Sequence, residues 1–178
     1  LPELIRGLRS FPEIREVVII TNGVLLTPIL IDELAAAGLT RMNISISAGN
    51  AEEGKEVMNY KGYNLDRVKE MAVLAAQKMH VSVTPVWMDG VNDEAIEKTI
   101  QWGKENNVEV YIQKFCHNKG GRNPVKEIEW DEFFKKLSAL EQKYRVKLQE
   151  GMYTLAKTKE LPMPFKRGDK VTVEIACP

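Results

Sequence analysis

Residues 41–47, Arg41-Met42-Asn43-Ile44-Ser45-Ile46-Ser47, decide the fold. Side chains alternate across a β-strand, so the three apolar residues of this stretch share one face and Asn43, Ser45 and Ser47 share the other. The apolar face suits a cover of helices. The inside of a closed α/β barrel is usually filled with Val, Ile and Leu. Three small polar groups there instead predict a cavity that holds water or a ligand.

The composition is that of an ordinary soluble protein. The 178 residues carry 25 Lys and Arg against 25 Asp and Glu, so the net charge argues for neither a nucleic-acid nor a membrane partner. No apolar run approaches the ~20 residues of a membrane span, and no signal peptide opens the chain. Because the chain starts at Leu1 and an amphipathic helix begins at once, we expect a piece of a longer protein.

The cysteines and histidines do not form a recognisable metal site. Cys116 and Cys177 lie far apart in different contexts, which excludes a disulfide framework and predicts a reducing, cytoplasmic location. His80 and His117 lie in different βα units and are expected at the surface. We therefore predict no metal ligand and no catalytic residue in this chain.

Strands and helices alternate along most of the chain. Strands are expected at 17–20, 41–47, 81–88 and 108–115. Helices are expected at 29–37 with Thr27 as the cap, from the cap Asn64 onward after a loop that follows the second strand, from Asn92 or Asp93 as the cap to about 107, and at 131–144. Repeated βα units form parallel sheets with right-handed crossovers. Four strands are too few to close a barrel of eight. The sequence therefore predicts an α/β fold, a partial TIM-like barrel of parallel βα repeats over residues 1–150.

The last part of the chain has a different pattern. Residues 161–165 read as a proline-interrupted linker and residues 166–169 as a turn, after which 170–176 alternate apolar and polar side chains. The span 157–170 holds five basic and two acidic residues. We expect residues 152–178 to form a linker and the beginning of a small β module.

Ligands of parallel α/β folds bind beyond the carboxyl ends of the strands. Here those ends, at 21–23, 45–50, 84–92 and 113–124, are rich in hydroxyls, amides and glycine. Strand-to-helix loops are often polar, so their composition is weak evidence for a ligand site. The alternation of side chains along the strands is stronger evidence. Glu109, Tyr111 and Gln113 share one face of the last strand. Two strands that each carry a polar face predict that the interior of the barrel holds water or a ligand.

Other polar residues are assigned more ordinary roles. Asp89 and Asp93 flank a turn and are expected to shape it, and Asn22 is expected to stabilise a sheet end. Because side chains alternate along the last strand, Lys114 is expected on the face that points away from the cavity. Arg122, in a glycine-rich loop, is a candidate for binding an anionic substrate group.

The order of several motifs resembles the radical S-adenosylmethionine (SAM) enzymes. The stretches concerned are Thr21-Asn22-Gly23-Val24-Leu25-Leu26, Ile31-Asp32-Glu33-Leu34 with Ala37-Gly38-Leu39, Arg41 to Ile46, Val83-Thr84-Pro85-Val86 with Gly90-Val91-Asn92-Asp93, and Gln113-Lys114-Phe115 with Gly121-Arg122-Asn123-Pro124. The resemblance covers residues 1–150. From about residue 152 the tail resembles the opening of a TRAM domain, a small β-barrel that often binds RNA.

One part of the family pattern is missing. The Cys-x-x-x-Cys-x-x-Cys loop and the Gly-Gly-Glu motif are absent, and in the family they precede the Thr-Asn-Gly strand. The resemblance therefore implies SAM and a [4Fe-4S] cluster in the full-length protein, with cluster ligands that this chain lacks.

The resemblance also implies an activity and a set of contacts. In such enzymes SAM is cleaved at the cluster, and a 5′-deoxyadenosyl radical abstracts hydrogen from a substrate. The implied cofactor-binding residues are Asn43, Ser45, Ser47, Thr84, Val86 and Gln113. The implied partners are an electron donor and a small-molecule or RNA substrate, with tRNA contacted through the C-terminal module, and no membrane.

Two other functions stay open. A cluster-free α/β-barrel lyase or aldolase would need a catalytic lysine or acid–base pair at the strand ends, and only Lys114 is near such a position. A non-catalytic RNA-binding module would need a basic stripe, which the neutral total does not favour. Three closely spaced cysteines upstream of Leu1 would decide among the three.

Overall fold

The computed structural model describes residues 1–121, 123, 125–149 and 164–172. In this part of the chain, helices and strands alternate in the predicted order. They are α1 (Pro2–Arg9), β1 (Val18–Thr21), α2 (Pro28–Ala36), β2 (Arg41–Ile44), α3 (Ala51–Val57), α4 (Leu65–Ala76), β3 (His80–Val83), β4 (Val86–Trp87), α5 (Asp93–Asn106), β5 (Glu109–Val110), β6 (Gln113–Lys114) and α6 (Trp130–Tyr144).

Local capping signals set the helix boundaries. The hydroxyl of Thr27 accepts a hydrogen bond from the backbone N–H of Leu30 at the start of α2. The side chain of Asn64 does the same for Arg67 at the start of α4. Gly38, at φ +94°, follows the end of α2 in the left-handed conformation that glycine adopts most readily. Both predicted caps are confirmed.

The strands are parallel, and their order follows the chain. One sheet has the order β1-β2-β3-β5, and a second, two-stranded sheet pairs β4 with β6. The predicted strands 81–88 and 108–115 are each divided in two. Pro85 has no backbone N–H to donate, which explains the break between β3 and β4. The predicted parallel, sequential sheet is confirmed.

The core consists of two apolar clusters. The first packs the apolar face of β2, with Met42, Ile44 and Ile46 fully buried, against α2 and α4. The second gathers Trp87 of β4, residues of α5 and α6, and the segment around Leu148. Because helices cover the apolar face of β2, its polar residues are left on the opposite face of the sheet, which we call the inner face.

Helix α3 lies in a region predicted as a loop. Asn50 accepts from the N–H of Glu53, and the Glu53 carboxylate accepts from the N–H of Gly49 at 2.7 Å. This reciprocal arrangement is close to a capping box. The prediction of a loop was wrong because α3 is only seven residues long and has little apolar periodicity.

The tail is described only in part. A turn at 166–169 is confirmed by hydrogen bonds that join Lys166 and Asp169 in both directions. Residues 170–172 are not in a strand, and the rest of the predicted strand lies outside the described residues. The division at residue 152 therefore stays a prediction. In the described ranges, no helix is long and apolar enough to cross a membrane.

Candidate functional site

The inner face of the sheet carries polar side chains in register. Asn43 on β2 lies beside Ser82 on β3, which in turn lies beside Glu109 on β5. The hydroxyl of Ser82, which is fully buried, donates to the Asn43 side-chain oxygen at 2.8 Å. In a closed barrel these inner positions would hold apolar side chains. Here they hold polar side chains that are hydrogen-bonded to one another.

This polar face continues toward the amino-terminal ends of the strands. Arg41, only 5% exposed, donates from Nε to Asn43 at 3.2 Å, and its guanidinium carbon lies 5.7 Å from the centroid of the Tyr111 ring. Glu109 accepts from the Tyr111 hydroxyl at 2.7 Å and pairs with His80 at 2.8 Å. The contacts of Arg41, His80 and Ser82 on this face were not predicted from the sequence. The alternation of His80, Ser82 and Thr84 was the available signal.

Several predicted cofactor residues meet at the carboxyl end of the sheet. Beyond β2, the N–H of Ser45 donates to the carbonyl of Thr21, and the Ser47 hydroxyl accepts from the N–H of Val86 at 3.2 Å. Val86 is also the register partner of Gln113.

The predicted residues differ in depth and exposure. Thr84 is buried between β3 and β4, whereas Gln113 is exposed and Ser45, Ser47 and Val86 are half-buried. Asn43 lies deeper in the sheet, and its side-chain oxygen already accepts two hydrogen bonds. Arg122 lies outside the described residues.

The turn that follows β4 is held by side chains of the next helix. Asp93 accepts from the indole N–H of Trp87 at 2.6 Å and from the N–H of Gly90 at 3.1 Å. Asp89 pairs with Lys136 on α6. These contacts agree with the predicted turn-forming roles of the two aspartates.

Lys114 lies on the opposite face from Gln113. Its side chain is 1% exposed, pairs with Glu127 and donates to the carbonyl of Ile128 at 2.9 Å. The N–H of His117 and the ammonium of Lys114 lower the pKa of Glu127 to about 2. A lysine engaged in this way does not face the inner cavity, which argues against the alternative of a lysine-dependent lyase.

The described residues do not supply ligands for a metal cluster. No group of three or more His, Cys, Asp or Glu side chains in the described ranges could hold a metal ion. Cys116 is free and exposed, and Cys177 lies outside those ranges. A [4Fe-4S] cluster with one open iron needs three thiolates, so the chemistry of this donor set does not fit it.

The fold places this chain in a class, the partial α/β barrels built from a parallel sheet. Enzymes of the α/β-barrel class bind their ligands at the carboxyl ends of the strands. Within this class, residues 1–103 match the family model described as "Radical SAM superfamily". The match covers more than half of the chain, and the chain belongs to this superfamily. Members of the superfamily use SAM together with a [4Fe-4S] cluster.

Curated relatives agree with this assignment. The chain is 29% identical over 181 residues to Uncharacterized protein MJ0103 of Methanocaldococcus jannaschii, with 87% of this chain and 42% of the relative covered. It is 32% identical over 146 residues to a GTP 3′,8-cyclase of Peptoclostridium acidaminophilum, with 78% of this chain and 43% of the cyclase covered. The chain therefore spans less than half of the length of these relatives.

Solved structures share the fold. The structure of TYW1 with a lysine-pyruvate adduct bound has a TM-score of 0.60 at 17% identity, covering 79% of this chain and 44% of that chain. Streptococcus suis SuiB bound to S-adenosylmethionine has a TM-score of 0.60 at 15% identity, covering 83% of this chain and 36% of that chain. The partial TIM-like barrel is thus confirmed.

Proposed function

We propose that the complete protein is a radical SAM enzyme and that this chain supplies part of its SAM site. The observation that carries the proposal is the meeting of Ser47, Val86 and Gln113 at the carboxyl edge of a sheet whose inner face is polar. Reduction of SAM at the cluster would supply a 5′-deoxyadenosyl radical for hydrogen abstraction from a substrate. The residues of this chain would bind and orient SAM and exclude water.

The residues fit different parts of SAM. Ser45 and Ser47 suit the ribose hydroxyls or the methionine carboxylate, because a hydroxyl both donates and accepts hydrogen bonds. Thr84, Val86 and Gln113 would lie near the adenine. Asn43 has only its amide nitrogen left for a ligand, since its oxygen is bonded within the sheet.

The cluster ligands would come from residues that precede Leu1 in the complete protein. In the described part of the chain, β1 pairs with β2 on one side only, and the inner-face residues Val18 and Ile20 are 42% and 75% exposed. In a parallel sheet of sequential order, the next strand beyond β1 would come from a preceding βα unit. Further strands that continue the barrel beyond β1 would curve around the inner face and enclose Val18 and Ile20.

The substrate and partners belong to the same proposal. Arg122 would bind an anionic group of a small-molecule or RNA substrate, and an electron donor would reduce the cluster. The span 152–178 would begin a TRAM-like β module that contacts tRNA, supported by the basic excess in 157–170. A cytoplasmic location suits the oxygen-sensitive chemistry. If the complete protein binds tRNA no better than a version that ends at Gly151, the RNA part of the proposal fails.

The decisive experiment compares this chain with the complete protein. Both are treated anaerobically with iron and sulfide, and cluster absorbance and SAM cleavage are then measured. We expect a cluster and cleavage in the complete protein and neither in the isolated 178 residues. A complete protein without three upstream cysteines, or one that takes up iron but leaves SAM intact, would contradict the proposal.

A further inference from the structure

The side chain of Asn92 does not cap the helix that it precedes. Asn92 occupies the N-cap position of α5, yet its side chain makes no capping hydrogen bond. An asparagine at this position usually contributes about 1 kcal/mol through such a bond. Here the side chain is directed to strand β4 instead. Its amide nitrogen donates to the carbonyl of Val86 at 2.9 Å, and its oxygen accepts from the N–H of Met88 at 2.8 Å.

These two hydrogen bonds are well shielded from water. Asn92 is 4% exposed, although it lies at the junction between a strand end and a helix. Buried polar side chains with several hydrogen bonds fix the local backbone more firmly than exposed ones do. The short segment from Val86 to Met88 is therefore held in one conformation by a residue that lies outside it.

A second side chain holds the same residue from the neighbouring strand. The hydroxyl of Ser47, on the extension of β2, accepts from the N–H of Val86 at 3.2 Å. Ser47 thus holds the N–H of Val86, and Asn92 holds its carbonyl. Ser47 and Asn92 are 45 positions apart in the sequence, and both of them contact the backbone of Val86.

We propose that Ser47 and Asn92 are a pair of positioning residues that fix Val86 for recognition of the adenine of SAM. This inference rests on the proposed function. The backbone N–H of Val86 is engaged within the protein, so the base meets the Val86 side chain and the fixed strand edge. A flat, rigid ring gains most from a surface that is already ordered before binding. Ser47 then acts through Val86, beyond any direct contact that it makes with SAM.

The test measures SAM binding to the complete protein by calorimetry. We expect Asn92→Ala and Ser47→Ala each to raise the dissociation constant about fivefold to tenfold, in line with the loss of one or two hydrogen bonds. Ser47→Thr keeps the hydroxyl that accepts from the N–H of Val86 and should lose less SAM affinity than Ser47→Ala does.

Asn64→Ala is the matched control for a loss of stability. It removes the hydrogen bond from the N–H of Arg67 at the start of α4, a helix that packs in the first apolar cluster. It should lower the unfolding free energy to an extent similar to Asn92→Ala and leave SAM affinity unchanged. An equal loss of affinity in both variants would mean that Asn92 acts only through stability.

Amide hydrogen exchange separates this inference from the proposed function. Asn92→Ala should speed the exchange of the Met88 amide, and Ser47→Ala that of the Val86 amide, with or without SAM. If the wild type binds no SAM, the proposed function fails. If the wild type binds SAM, the amides respond as expected and the affinities of all variants match, the positioning role is overturned.

Discussion

The carboxylate of Glu127 accepts a hydrogen bond from the ammonium of Lys114, whose side chain is buried at the base of the loop between β6 and α6. The same carboxylate accepts from the backbone N–H of His117 at 2.8 Å. One side chain therefore joins the two ends of a loop that extends from the carboxyl edge of the sheet.

This arrangement predicts a loss of stability in acid. The pKa of Glu127 lies at about 2, below its usual value of 4.5, so the folded protein binds this proton more weakly than the unfolded chain does. The stabilisation is fully present above about pH 5 and is lost as the pH falls toward the folded pKa. Glu127→Gln should remove this contribution, as measured by urea unfolding between pH 6 and about pH 3. Glu3→Gln, on the exposed side of α1, is the control; if it flattens the pH profile equally, Glu127 is not the cause.

Gly103 should not tolerate a methyl group. A Cβ at this position of α5 would lie 2.4 Å from Cγ2 of Val110 and 2.8 Å from the carbonyl oxygen of Val108. Such overpacking typically costs about 1–3 kcal/mol. Gly7, in α1, has open space around it, so Gly7→Ala should instead stabilise by about 0.5–1 kcal/mol. Thermal unfolding of the two variants tests this, and shifts of the same sign would contradict it.

Mutation of Ser82 and mutation of Asn43, which form a buried hydrogen bond, should lower the unfolding free energy by different amounts. Ser82→Ala removes one donor and leaves Asn43 bonded to Arg41, so we expect a loss of about 1 kcal/mol in unfolding free energy. Asn43→Ala leaves the Ser82 hydroxyl buried without this acceptor and should cost more, about 2–3 kcal/mol. Ser10→Ala, at an exposed position, is the control. Equal losses at Ser82 and Asn43 would show that the hydroxyl finds another partner.

Tyr63 carries a hydroxyl that has no hydrogen-bond partner among the described residues. The side chain is 2% exposed, and burial raises the pKa of this phenol. Tyr63→Phe keeps the packed ring and removes the buried polar group, so it should raise the unfolding free energy by up to about 1 kcal/mol. Tyr63→Ala should lower it by about 3–5 kcal/mol. Destabilisation by Tyr63→Phe would indicate that the hydroxyl is hydrated in solution.

Features that depend on neighbouring residues could be predicted from the sequence. The caps at Thr27 and Asn64, the parallel order of the strands and the polar parity of 43–47 follow from local chemistry and alternation. The same alternation places Lys114 away from the inner face.

Features that depend on distant partners could not be predicted. Asn92 carries the signature of a cap, and only its proximity to Val86 in the fold gives its side chain a different role. The pairing of Lys114 with Glu127 joins residues on either side of a loop, with no periodic signal between them. The hydrogen bond between the hydroxyl of Ser47 and the N–H of Val86 likewise joins residues 39 positions apart.

The division of the core into two clusters gives each half of the molecule its own fluorescent reporter. Trp87 is buried in the second cluster, and Trp102 packs against the first. Units with separate cores can open separately, at different free energies. If the second cluster opens first, β4 and β6 would separate while β1, β2 and β3 remain paired. Entry of a ligand at this edge would then be governed by a partial unfolding that the fluorescence of Trp87 reports.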